Sequence, residues 1–164
     1  MPPPFHFGGF VAPKEVLLVS IETWGPKVTA KLKEITAIKQ VHGYDSLPSN
    51  ITASPTVIWL PVSGSQNYGL SAPVVAITRI QITLYLNAAL LPEGVKAAVP
   101  FIALIRDKFA ANMKLDGTVN YILPPVDGNY FEGPAWMTYK SEDRFTGINF
   151  YYDVKEVENI SVSA

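Results

Sequence analysis

At 164 residues with 48% apolar content, the chain is long enough for one core, since a domain of about 150 residues buries roughly 70% of its unfolded surface. Thirteen basic and fourteen acidic side chains leave a net charge of -1, which excludes a global electrostatic pull toward nucleic acid or an anionic membrane. The absence of cysteine excludes disulfide staples, thiolate metal sites and cysteine nucleophiles, and fits a reducing compartment.

Residues 1–13 hold four prolines and two glycines among the aromatics Phe5, Phe7 and Phe10, a composition that predicts an extended arm docking onto something. The segment has no charged head or unbroken apolar run of a signal peptide, and no later stretch reaches about 18 apolar residues. The expectation is a soluble protein made in the cytoplasm, with residues 14–164 as a single domain. Leu17, Ile21, Trp24, Val28, Leu32 and Ile35 recur at steps of three and four, one face of a helix. Gly25 and Pro26 predict a kink there or two short helices.

After the turn-rich "HGYDSLPSN", the run "PTVIWLP" (Pro55 to Pro61) reads as a strand bounded by prolines. "VSGSQNYGLSAP" reads as a long polar loop. It joins that strand in a hairpin to "AITRIQITLYL" (Ala76 to Leu86), which alternates apolar and polar residues as a half-buried antiparallel strand does. Ile80, Ile82, Leu84 and Leu86 form the face that needs a cover, while Arg79, Gln81, Thr83 and Tyr85 form the other. "LPEGVKAAVPFIALIRDKFAANM" returns to helical period, with Val95, Val99, Ile102, Ile105 and Phe109 on one side and Pro100 expected in the first turn of the main helix. A turn at Asp116 and Gly117 leads into a strand, "VDGNYFEGPAW" reads as a loop, and "INFYYDVKEV" is a second alternator. This order of helix, strand, strand, helix, strand, strand predicts an α+β fold with an antiparallel or mixed sheet, two main helices on one face and long loops.

Chemical motifs are sparse. His6 and His42 are too few for a zinc site without carboxylates at suitable spacing. No G-x-S-x-G, phosphate loop or H-E-x-x-H occurs. Glu132 with Glu142 or Asp143 is the one carboxylate grouping that would suit general acid and base work, a solvated loop being the plainer reading. Aromatics stand out on segments read as loops or outer sheet face: Tyr68, Tyr130, Phe131, Trp136, Tyr139 and Tyr151. Such residues anchor interfaces.

From about Lys14 to Val157 the order of segments resembles the tail terminator family of long-tailed bacteriophages. The likeness is carried by "ETWGPKVTAKLKEI", "PTVIWLP" with its loop, "ITRIQITLYL", "PFIALIRDKF", "LDGTV" and "RFTGINFYYDVKEV". What the resemblance implies is a virion structural protein, assembled in the host cytoplasm, with no enzymatic activity, cofactor or membrane contact. A homo-hexameric ring would cap the tail tube protein, end its polymerisation and dock the head-tail connector or stopper protein, with DNA passing through the lumen. It implies a subunit or lumen interface on Arg79, Gln81, Thr83, Tyr85, Asn149, Tyr151 and Asp153. Loop contacts are expected from Ser65, Gln66, Asn67, Tyr68, Tyr130, Phe131 and Trp136, and arm contacts from Phe5, Phe7 and Phe10. Competing readings are another head-tail joining or tail completion protein, a small carboxylate-dependent hydrolase, and an adaptor that binds a peptide on a sheet edge.

Overall fold

The computed structural model describes residues 8–67, 74–87, 91–140 and 143–158. The chain runs α1 (Gly8–Lys33), β1 (Gln40–His42), β2 (Thr56–Asn67), β3 (Val74–Leu86), α2 (Leu91–Ala110), β4 (Tyr121–Leu123), β5 (Phe131–Tyr139) and β6 (Asp143–Glu158). This is an α+β fold, two helices with a six-stranded mixed sheet curled into a half-barrel. The sheet order is β1-β2-β3-β6, and the far edge of β6 is shared by β4, opposite Asp153–Lys155, and β5, opposite Asp143–Phe150. Among the described residues only β1 on β2 is parallel.

The two alternating segments are neighbours at the centre. β3 and β6 pair from Val74 opposite Glu158 to Leu86 opposite Thr146, which aligns Ile80 with Tyr152, Ile82 with Phe150 and Leu84 with Ile148. All six are buried, joined by Val57 and Trp59 of β2 and Ile122 of β4. Fully burying one such side chain contributes about 1.5–3 kcal/mol relative to leaving it exposed. The cover is the two helices: Trp24, Val28 and Leu32 from α1, and Ala98, Phe101, Ile105 and Phe109 from α2.

Several expectations are corrected. α1 is one continuous helix through Gly25 and Pro26. Gly25 is buried, and a Cβ there would sit 3.2 Å from the Trp59 ring and 3.3 Å from Tyr44, so the glycine lets Trp59 of β2 and Tyr44 of the turn after β1 close onto the helix. The helix also starts at Gly8, making residues 8–13 helical rather than extended. Pro100 lies inside α2, exposed, because the helix begins nine residues earlier at Leu91. The stripe of α2 is displaced as well: Gly94, Ala98, Phe101, Ile105 and Phe109 face the sheet, whereas Val99 is 48% exposed. Small residues at 94 and 98 bring the helix close to the sheet, which larger valines would hold away.

The strand expected to end at Pro61 continues to Asn67, with a bulge between Pro61 and Ser63 absorbing the proline. Ser65, Gln66 and Asn67 are therefore strand residues, opposite Ile77, Ala76 and Val75. The segment read as a loop around Phe131 and Trp136 is β5, and β1 occupies three residues with no strand expected.

At the helix ends, Lys31 bonds both Asp116 at 3.2 Å and Glu34 at 3.4 Å, and Lys108 of α2 bonds Glu34 at 3.1 Å. The Lys108 bond, then the charge of Lys31, hold the Glu34 carboxyl below its ordinary range, and Asp116 raises the pKa of Lys31. The network ties α1, α2 and the turn before β4 together.

Candidate functional site

Register places the predicted outer-face residues together. Arg79 lies opposite Asp153, Gln81 opposite Tyr151 and Thr83 opposite Asn149. All share the sheet face that turns away from the helices, since in a strand alternate side chains take opposite sides.

The charged end of this face is internally neutralised. The Arg79 guanidinium donates to both Asp153 carboxylate oxygens, at 2.8 and 3.1 Å, and reaches Asp127 in the loop between β4 and β5 at 3.1 Å. These bonds raise its pKa beyond any working pH, Asp153 contributing most. Bidentate pairing fixes the guanidinium plane as well as its charge. In the middle, Thr83 donates to Asn149 at 2.8 Å, and the Gln81 amide donates to Asn149 at 3.2 Å and to Thr83 at 3.1 Å. Three uncharged side chains hold one another in place without help from the helices.

At the other end the face is aromatic. Tyr85 meets Tyr139 and Phe145 edge-on, with ring centroids 5.7 and 5.6 Å apart. Thr56, Ile58, Thr83 and Phe145 are all buried here although no helix covers them. The hydroxyl of Tyr139, on edge strand β5, donates to the Pro48 carbonyl in the loop leading to β2, so that loop meets the far strand at this end of the face. Burial raises the pKa of Tyr85, with Tyr139 adding to it.

The other aromatics divide differently from expectation. Phe131 and Trp136 pair with Phe150 and Thr146, so they belong to the helix-facing side at the rim of the sheet, 38% and 40% exposed. Tyr130 packs against the core, its hydroxyl sharing a 2.6 Å hydrogen bond with that of Tyr152, and its ring stands 5.4 Å from the Tyr152 ring. Burial pushes both phenols above their ordinary range. Because the folded-state pKa values lie above the usual value of about 10, this stability is intact below that pH and is lost as pH rises past it toward the folded-state values. In an absorbance titration of the eight tyrosines, Tyr85, Tyr130 and Tyr152 are expected to ionise only with alkaline unfolding. Their smooth ionisation in folded protein near pH 10 would contradict the burial.

Phe5, Phe7 and Tyr68 lie outside the described residues, as does the side chain of Phe10. Of the carboxylate grouping, Glu142 is also outside them. Glu132 is opposite Asn149 and Asp143 opposite Tyr139, six positions apart along β6, about 20 Å at the usual rise per residue. Those two do not form a dyad. His42, expected in a turn, is on β1, with Nδ1 3.1 Å from the Ser46 carbonyl. Among the described residues no three His, Asp or Glu side chains come together as metal ligands, and no helix is long and apolar enough to cross a membrane.

What the sequence left out is β5 and the projecting half of β2. From Val62 to Asn67 every residue of β2 is exposed, so this half reaches beyond the packed part of the domain. Its alternation is hidden because neither face is apolar. Compared with models of known protein families and with curated proteins, the chain gives no match.

Proposed function

We propose that this protein is a structural component of a tailed phage virion, a tail terminator that forms a ring on the end of the tail tube and offers its other side to the head connector. The observation that carries the reading is the build of the sheet. One face is sealed by helices, the opposite face is a self-supporting polar and aromatic surface, and an exposed strand projects past the core. Ring assembly needs a protomer with two unlike surfaces set on a rigid frame, because a heterologous interface repeats until the rotation closes. The face away from the helices also suits a passage for DNA. Its Arg79 is spent on Asp153 and Asp127, and Glu132 adds a further acidic group. Among the described residues this leaves Lys155, held over the Tyr121 ring, as its basic side chain outside those ion pairs, which limits its grip on phosphates.

The test is electron microscopy of a lysate from phage in which this gene is disrupted. Tubes of excessive, uncontrolled length beside full capsids are the expected result. Tails of normal length that lack heads would move the protein to a joining role, and intact infectious particles would end the structural reading.

A further inference from the structure

We propose that the projecting half of β2 adds as a strand to the free edge of β5 in a second copy of the chain. The proposal rests on the ring reading above and names the receiving surface.

Edge strands of natural proteins are usually blunted by charge, proline or shortness, since a regular bare edge is a template for pairing. The projection is not blunted. Past the bulge, Ser63 to Asn67 hold an unbroken register with Arg79 to Val75, and the sequence from Val62 to Asn67 has no charge and no proline. Among the described residues, β1 pairs only with Thr56–Ile58, and no strand lies beside Leu60–Ser65 on that side. On the other side of the sheet, β5 pairs only with β6 among the described residues. Ala135 to Tyr139 are likewise uncharged and in unbroken register, with Trp136 exposed at 40%.

Gly64 gives the independent sign. It sits inside a strand, and its φ is not among the positive ones. A Cβ there would meet only the Ile77 carbonyl oxygen, at 3.6 Å. Among the described residues no neighbouring atom requires a glycine. A strand glycine weakens the strand, and it marks a bulge, such as the one just before it between Pro61 and Ser63, or a place where another backbone or a ligand comes close. By register Gly64 and Trp136 both lie on the helix-facing side, through Thr78 and Thr146 respectively. Setting Gly64 opposite Trp136 gives the indole the missing space. It also puts Ser65 opposite Ala135 and ends the ladder at Pro134, which has no donor to offer.

Strand polarity selects the symmetry. β2 and β6 are both antiparallel to β3, and β5 is antiparallel to β6. Copies related by rotation about an axis along the strands therefore meet β2 against β5 antiparallel. The two edges are different surfaces, so the contact is heterologous and repeats around a ring.

The cysteine-free chain allows a clean test on the full-length purified protein at high concentration under mild oxidation. Opposed residues of an antiparallel pair have Cα atoms about 4.5–5.5 Å apart, within disulfide reach. Mixing Ser65→Cys with Ala135→Cys is expected to give covalent heterodimers, the double variant a ladder of multimers, and each single variant by itself neither. Gly64→Val is expected to keep the wild-type melting temperature and to weaken assembly about tenfold or more. No heterodimer in the mixture, disulfide dimers of Ala135→Cys by itself, or unimpaired assembly of Gly64→Val would overturn the proposal. The ring reading is judged separately by tail length in the gene-disrupted lysate, so either can fail without the other.

Discussion

Trp59→Ala is expected to lower the unfolding free energy by about 3–5 kcal/mol, the range for removing a fully buried large aromatic. The side chain is 1% exposed at the junction of α1 and the sheet. Its indole donates to the Thr29 hydroxyl at 2.8 Å, Tyr44 meets it edge-on at 5.4 Å, and Trp24 lies against it at 6.1 Å. Gly25 and Gly43 are placed so tightly around it that a Cβ at either would be 3.2 or 3.1 Å from the indole. Part of the wall around the ring is backbone at Gly25 and Gly43, which relaxes little into the void. Native domains are stable by only about 5–15 kcal/mol, so much of the margin disappears. Trp59→Phe separates the contributions: most packing survives while the Thr29 hydroxyl loses its donor, a cost of about 1–2 kcal/mol. Urea denaturation checks both, through a lower midpoint at unchanged slope. Equal loss in the two variants would mean that the hydrogen bond, and not the ring volume, holds the junction.

The core around this residue was legible in sequence where burial is one-sided. β3 and β6 each face helices on one side only, so Ile80, Ile82 and Leu84, and Ile148, Phe150 and Tyr152, stand out as alternation. The stripe of α1 survives Gly25 and Pro26 because Trp24, Val28 and Leu32 are large and spaced for one face. On α2 the same rule picks Val95 and Val99, since hydropathy ranks valine above the glycine and alanine at 94 and 98 that are actually buried. β5 is hidden for a different reason. It is an edge strand carrying Gly133 and Pro134 at a register shift, and its exposure follows the curl of the sheet rather than a period of two.

The candidate surface was half legible. That Arg79, Gln81, Thr83 and Tyr85 share a face follows from alternation alone. That Arg79 meets Asp153, and Thr83 meets Asn149, depends on which strands pair and in what register, a choice made across sequence separations of 74 and 66 residues. The buried aromatic end was not legible at all, because Phe145 reaches Tyr85 diagonally across the β3–β6 pair and Tyr139 reaches it from β5, neighbours that only the strand pairing supplies.

Gly147→Val is expected to be the most damaging exchange at that end. A Cβ at this position would lie 2.5 Å from the Leu84 carbonyl oxygen and 2.5 Å from the Met137 sulfur. The methionine can swing aside, but the carbonyl belongs to a central strand, so β3 and β6 would have to part where Tyr85 faces Gly147. Overpacking usually costs about 1–3 kcal/mol; with backbone as the obstacle, the expected loss is about 3 kcal/mol or more, and Gly147→Ala should already show much of it. Across the pair, Gly133 has a φ of 106°, and a Cβ there would be 2.8 Å from the Gly147 carbonyl oxygen, so β5 cannot yield by moving closer. The strain must spread into the Tyr85, Tyr139 and Phe145 cluster, and near-ultraviolet circular dichroism should register its loosening together with the lower urea midpoint. Wild-type unfolding of Gly147→Ala would show that β6 has room to shift, and the face away from the helices would then be less rigid than assembly on it requires. Gly64→Val supplies the contrast, a larger side chain at an exposed strand glycine that is expected to leave unfolding unchanged while removing the space for Trp136 of a second copy.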